Sequence, residues 1–291
     1  MPELPEVETV RLDLVGAVVG RLVRQVDVSG ARVARRHRSP QELASLLAGM
    51  RIYGVRRLGK YLLVDLDRGR PDPGGARGSD GAVLVVHLGM SGRLCLVDSE
   101  EVPIEPHTHV VATFADGGQL RFVDPRTFGE MFVTAATSCL GRVPELAHLG
   151  FDPLEDHVTW SGLERRLSVR RTALKALLMD QRFVAGIGNI YADEILFRAR
   201  LRYDRPSCSL TAAEVRRLHG AMKRTLSEAI VDRGSSLADE QYRDLLGSTG
   251  RYQLRHRVYG REGQPCRRCR SPIARIKMNG RSTFFCERCQ V

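Results

Sequence analysis

The chain has 291 residues, 43% hydrophobic and 27% charged, with 45 Lys and Arg against 34 Asp and Glu for a net charge of +11. That length supports about two domains with cores that need no disulfide staples, and no apolar stretch approaches the ~18 residues of a membrane span, so mini-protein and membrane classes are excluded. Seven cysteines are an odd count for a secreted disulfide framework, and MPELPEVETV lacks the basic and apolar pattern of a signal peptide; the expectation is a cytoplasmic chain with reduced thiols.

Residues 3 to about 18 carry Val7, Val10, Leu14 and Val18 at helical spacing, which predicts a helix. RLVRQVDVS, MRIYGVRRL, KYLLVDLD, AVLVVHLG, GRLCLVD, HVVATFA, QLRFVD and EMFVT follow as short alternating or apolar runs bounded by Gly, Pro and Asp, which predicts strands. SPQELASLLAG inserts one helix with Ser39 as its cap. Residues 1–135 therefore read as a β-sandwich flanked by helices, with a loop at 67–81. From residue 136 apolar residues recur three and four apart through SGLERRLS, RRTALKALLMDQ, NIYADEILFRAR and TAAEVRRLHGAMKRTLSEAIVDRG, giving a helical domain over 136–250 entered through a hinge at HLGFDPLED. The fold class is α+β.

Residues 251–291 form a third segment holding eleven Arg or Lys against two Glu, a charge of +9, so the positive field sits at one end, as on a surface that meets phosphates. The same segment carries Cys266-Arg-Arg-Cys269 and Cys286-Glu-Arg-Cys289, sixteen residues apart, a spacing that offers four thiolates to one tetrahedral Zn2+. Four protein ligands leave no open coordination position, so the ion is expected to be structural, holding a hairpin of ARIKM and RSTFFC around Asn279-Gly280 with Arg281 beside the tip. Cys95, Cys139 and Cys208 stand singly and read as structural.

Pro2 follows the initiator Met, whose removal leaves a secondary amine. An α-amino group has a reference pKa of about 7.7 to 8.0 and is partly unprotonated near neutrality, whereas a Lys at about 10.4 is not, which makes Pro2 a candidate nucleophile. Glu3 and Glu6 lie three apart on one side of the opening helix, near that amine, although Pro and Glu are also ordinary first-turn residues. Only four Lys occur (Lys60, Lys175, Lys223, Lys277), so Lys60 at the start of an apolar strand stands out, as a reactive ammonium or as a rim lysine. HLGMSG and DPRTFG set Met90, Arg126 and Phe128 on Gly-flanked turns; these side chains either fold into the core or project as wedges suited to a base stack. AGIGNIYADE reads as a Gly-rich turn entering a helix at Asn189, whose N–H groups can hold a phosphate.

PELPEVET (2–9), GKYLL (59–63), HLGMSG (87–92), DPRTFG (124–129), GIGNIYADE (186–194), VYGREGQPC (258–266) and the four-cysteine ribbon are collinear, and together they resemble the formamidopyrimidine-DNA glycosylase family of bacterial repair enzymes. The resemblance implies a β-sandwich domain, a helix-two-turn-helix domain and a zinc hairpin that bind damaged double-stranded DNA as a monomer. It implies a bifunctional glycosylase and apurinic/apyrimidinic-site lyase that excises formamidopyrimidine and 8-oxoguanine. In that scheme Pro2 forms an imine with the deoxyribose, Glu3 transfers protons, and Lys60 and Arg281 serve β- and δ-elimination. His107, Arg126, Arg171 and Asn189 correspond to DNA-contacting positions, and Met90, Arg126 and Phe128 to the residues that fill the gap in the duplex. Glu6 is expected to position the terminal helix. The segment 234–253 departs from the family's commoner GGTTL and GYF pattern, so an endonuclease VIII-like range of oxidised pyrimidines stays open, as does a catalytically silent zinc-dependent DNA-binding protein.

Overall fold

The computed structural model describes residues 2–68, 81–136, 141, 143–237 and 242–291; most of the loop expected at 67–81, and Cys139, lie outside them. The described residues gather into two compact units, one of Pro2, Glu6–Ala147 and Ser235–Gly250, the other of Glu3–Pro5, His148–Gly234 and Arg251–Val291.

The first unit is a sandwich of two four-stranded antiparallel sheets. One runs in the order β1 (Val23–Val28), β6 (Thr108–Phe114), β7 (Gln119–Val123), β5 (Arg93–Val97), and the other β2 (Arg51–Leu58), β3 (Tyr61–Asp67), β4 (Ala82–His87), β8 (Glu130–Ala135). The helix α1 (Leu4–Val18) buries Val7, Val10, Leu14 and Val18 in the core between them, at the spacing that predicts it. In α2 (Pro40–Leu47) the Ser39 hydroxyl accepts the Glu42 N–H at 3.2 Å, the expected cap. Ser235–Gly250 folds with this unit because Tyr242 and Leu245 insert into the same core, the Leu96 N–H donates to the Leu245 carbonyl, and the Ser235 N–H donates to Glu6 Oε1 at 2.7 Å.

The short helix α3 (Pro144–Ala147) ends the main stretch of the first unit. The helices of the second unit are α4 (Trp160–Ser168), α5 (Leu174–Met179), α6 (Asn189–Ala199) and α7 (Ala212–Val231), followed by the hairpin β9 (Ala274–Met278) and β10 (Arg281–Phe285). Capping follows the sequence: Thr159 begins α4, and Thr211 with Glu214 forms a capping box on α7. α6 is apolar on almost every side and nearly all buried, as the central helix of the unit. Its two adjacent acids tie the ribbon to it: Glu194 accepts the N–H groups of Arg257, Val258 and Tyr259, and Asp193 accepts that of Phe284. Asn279 (φ 49°) and Gly280 (φ 75°) form the two-residue turn that the dipeptide predicts, pairing Met278 with Arg281.

His87, at the end of β4, stacks on Tyr61 at 4.7 Å, and burial pushes its imidazole down to about 4 against the pull of Glu130. Burial lowers His37 and His256 as well. These rings are neutral when folded and reach their ordinary pKa of about 6.5 when unfolded, so their contribution is complete above that value and is lost as pH falls toward 4. His87 alone accounts for on the order of 3 kcal/mol over the full window. Urea unfolding from pH 7 to pH 4 is expected to show the decline, and His87→Gln to flatten it; an unaltered slope would place the acid sensitivity elsewhere.

Candidate functional site

Glu3 lies just ahead of the first turn of α1, is 3% exposed, and is held by the start of α6. The Gly188 and Tyr191 N–H groups donate to Oε2 at 2.7 and 3.3 Å, and the Ile190 N–H donates to Oε1 at 2.9 Å. The Leu4 N–H donates to the Gly186 carbonyl at 2.9 Å, so the approach to this carboxylate is fixed on both sides. The N–H groups expected to hold a phosphate at AGIGNIYADE are therefore occupied by a carboxylate of the chain itself, which the positive end of the helix favours equally well. Asn189 keeps its place at the head of α6, with its Oδ1 buried and without a partner among the described residues. Pro2 is buried and precedes Glu3 by one peptide unit.

The glycines of this turn are required by contact. A Cβ on Gly188 would stand 2.4 Å from Glu3 Cδ, and one on Gly186 (φ +92°) 2.6 Å from Leu4 Cβ. Gly188→Ala is expected to push the Glu3 carboxylate off α6, leaving buried N–H groups unpaired at a cost of about 1–3 kcal/mol and lowering turnover more than stability. Thermal melting beside single-turnover kinetics separates the two effects. A variant that melts early but turns over normally would show that Glu3 has only a structural role.

Glu6, expected beside Glu3, instead serves the 235–250 segment through Ser235; three residues of helix have carried the two carboxylates to different partners. In the β-rich unit Lys60 occupies the two-residue turn between β2 and β3, where Gly59 has φ +57°, and it is 8% exposed. Arg57, almost wholly buried, donates to Glu8 at 2.8 Å and to the Gly59 carbonyl at 3.2 Å, fastening that turn to α1.

Met90, Arg126 and Phe128 are brought together on one rim of the same unit. Gly89 and Gly129 touch, and a Cβ on Gly89 would lie 2.5 Å from the Gly129 nitrogen. Asp124, fully buried, accepts the Ser91 hydroxyl at 2.5 Å and the N–H groups of Arg126 and Gly129 at 3.2 and 2.7 Å, locking both turns. Met90 and Phe128 are 40% and 48% exposed, so the core-filling alternative is excluded and both side chains project from the rim. His107 is exposed on the adjoining turn, its carbonyl accepting the Asp124 N–H, and Arg171 is exposed ahead of α5.

In the helical unit Arg281 shares a cleft of about 170 Å³ with Lys175, Met179, Asp180 and Met278. Lys175, 2% exposed, donates to the Ser282 carbonyl at 3.0 Å and the Thr283 hydroxyl at 2.9 Å, and pairs with Asp193 at 2.8 Å. Burial pushes the ammonium down and the carboxyl up, each opposed by the other's charge. This pair, Glu194 and Asp124 escaped the sequence reading; for Asp193 and Glu194 the signal available was YADE, two consecutive acids inside a largely apolar helix.

The sulfur atoms of Cys266, Cys269, Cys286 and Cys289 lie within 4.8 Å of one another, with 4.0 Å from Cys266 to Cys289 and 3.4 Å from Cys269 to Cys286. These values bracket the ~3.8 Å edge of a tetrahedron built on 2.3 Å Zn–S bonds. The site is closed, and Cys266 and Cys286 are buried against Val258, Ile273 and Phe284. Cys95 is buried in β5 and Cys208 is exposed on a short 3₁₀ turn.

Family models match along the chain: the formamidopyrimidine-DNA glycosylase N-terminal domain over 1–131, the formamidopyrimidine-DNA glycosylase H2TH domain over 149–240, and the zinc finger found in FPG and IleRS over 263–291. The formamidopyrimidine-DNA glycosylase of Geobacillus kaustophilus is 41% identical over 290 residues, covering 100% of both chains. The MutM (Fpg) protein of Thermus thermophilus superposes with a TM-score of 0.84 at 42% identity, covering 99% of this chain and 98% of that one. Lactococcus lactis Fpg, seen as a mutant with DNA containing Fapy-dG and also with abasic-site DNA, superposes at 0.86 with 33% identity, covering 99% of each chain. Fold and site thus define a zinc-finger DNA glycosylase of the helix-two-turn-helix class. The chain belongs to the formamidopyrimidine-DNA glycosylase family, and its ribbon is a zinc finger for one structural Zn2+.

Proposed function

We propose that this chain is a bifunctional DNA glycosylase and apurinic/apyrimidinic-site lyase that removes oxidised purines, formamidopyrimidine and 8-oxoguanine, from duplex DNA. The observation that carries the reading is the start of the chain, where a buried Pro2 is joined to a Glu3 anchored by three N–H groups. The Pro2 nitrogen attacks the sugar C1′ and the C1′–base bond breaks with its electrons leaving on the base; the C1′–O4′ bond then opens with its electrons going to O4′, which takes up a proton, and Glu3 handles the proton transfer. The resulting imine acidifies the adjacent C2′–H, so loss of that proton expels the 3′ phosphate, and a second elimination expels the 5′ phosphate. Lys60 serves the first elimination and Arg281 the second.

Met90, Arg126 and Phe128 fill the space left by the extruded nucleotide, and His107, Arg126, Arg171 and Asn189 contact the DNA. By function the chain divides into 1–135 for catalysis, 136–250 for the helix-two-turn-helix, of which 136–147 and 235–250 pack with the sandwich, and 251–291 for the zinc finger, in a monomer located in the cytoplasm on the nucleoid. Duplexes carrying formamidopyrimidine, 8-oxoguanine or an oxidised pyrimidine test the reading. Purine lesions are expected to be cut to products with phosphate at both ends; binding without cutting would favour the silent alternative, and preference for the pyrimidine would favour the endonuclease VIII-like one.

A further inference from the structure

The helical unit has a second basic cleft that the proposed repair chemistry does not use. It has a volume of about 310 Å³, is floored by Gly220 and Ala221 of α7, and is walled by Arg198, Arg216, Arg217 and Arg224. Arg198 belongs to the last turn of α6, nine residues from Asn189 and so about 14 Å along the helix from the end that holds Glu3. The cleft is therefore distinct from the site described above.

Three of its arginines are set in place before any ligand arrives. Arg198 pairs with Glu228 through both terminal nitrogens, and its Nε is buried without an acceptor among the described residues. Arg216 lies over the Trp160 ring at 4.0 Å. Arg217 donates to the Ala199 carbonyl at 3.3 Å. Glu228 balances Arg198, and Glu214 is shared between Arg205 at 2.6 Å and Arg217 at 3.8 Å, which leaves Arg216 and Arg224 as excess positive charge converging on one recess beside a partly compensated Arg217. Guanidinium groups match phosphate oxygens bidentately, and ordering them beforehand lowers the entropic cost of binding.

We propose that this cleft binds an oligophosphate chain, inorganic or carried by a nucleoside. A linear chain of phosphates concentrates several negative charges in a slim ligand that fits between the arginine walls. Duplex DNA spreads its charges along a wide surface, one per ~1.7 Å of axis, and cannot gather them in a recess of this kind.

Trp160 is the single tryptophan of the chain, so its fluorescence reports on Arg216 directly. The zinc-loaded full chain, titrated at constant ionic strength with tripolyphosphate and separately with ATP, is expected to give a saturable change with tripolyphosphate. A matching response to ATP assigns the site to nucleotide-borne chains as well, and a silent ATP arm confines it to the inorganic one. The double variant Arg217→Gln, Arg224→Gln is expected to bind on the order of tenfold or more weakly, with the circular-dichroism melt and incision of damaged duplex unchanged. The proposal is overturned by an equal response to sulfate, by a variant that titrates like the parent, or by no response to either phosphate chain. It is overturned equally if lesion-free duplex displaces tripolyphosphate and the variant loses duplex affinity, for the cleft is then a DNA contact.

Discussion

A preparation that retains Met1, or one acetylated on the Pro2 nitrogen, is expected to lose base excision and strand cutting by a factor of about 10³ or more while still binding damaged duplex. An amide nitrogen has no lone pair to offer C1′, and no lysine matches a terminal amine in being partly unprotonated near neutrality without special burial. The neighbouring geometry leaves little room for a substitute, because Glu3 and Leu4 are both bonded to the 186–191 turn. Borohydride reduction of the protein on abasic-site DNA, followed by intact-mass analysis, measures the outcome directly: one adduct per chain with processed protein, none with the blocked form. An adduct of the same yield on the acetylated form would move the nucleophile to a side-chain amine, Lys60 first among them, whereas one on the Met1-retaining form alone would be assigned by peptide mapping to the Met1 amine or a side chain.

Removal of zinc is expected to have the second large effect. β9 and β10 are five residues each, and an isolated two-stranded hairpin is marginal in water. The apolar cluster beneath it is small, centred on Phe197, Val258, Ile273 and Phe284. A four-thiolate zinc site supplies an apparent ~10–16 kcal/mol in zinc-finger peptides, more than such a cluster can replace. Chelation, or Cys286→Ser, is expected to disorder the turn that carries Arg281, abolish the second elimination and weaken duplex binding, while the melting transition of the sandwich stays in place. Product-end analysis against measured zinc content checks this. Full two-sided cutting by metal-free protein would take the δ-elimination role away from Arg281.

The sandwich strands, the helices, the Asn279-Gly280 turn and the cysteine set are all legible in the sequence because each depends on neighbours a few residues away. Ser39 caps α2 for a reason contained in SPQE, and Arg281 faces Met278 because Asn-Gly tolerates positive φ at both positions. What could not be read was partnership across the chain. Glu3 and Glu6 look equivalent on a helical wheel, yet one is claimed by residues 185 positions away and the other by Ser235. Met90 and Phe128 are apolar enough for a core; only the contact of Gly89 with Gly129 and the bonds to Asp124 show that they are held outward. The docking of Tyr242 and Leu245 in the sandwich is equally nonlocal, since the polar segment around them carries no periodicity that would announce it.

The carboxylate that closes α6 comes from a residue 185 positions earlier in the polypeptide, which sets a limit on dissection. A fragment spanning 148–291 would carry the central helix with its first turn unfinished, and its isolation should yield a loosened body rather than a stable module. A short synthetic peptide reproducing the opening residues should restore order to that fragment in trans, making the two pieces a natural complementation pair.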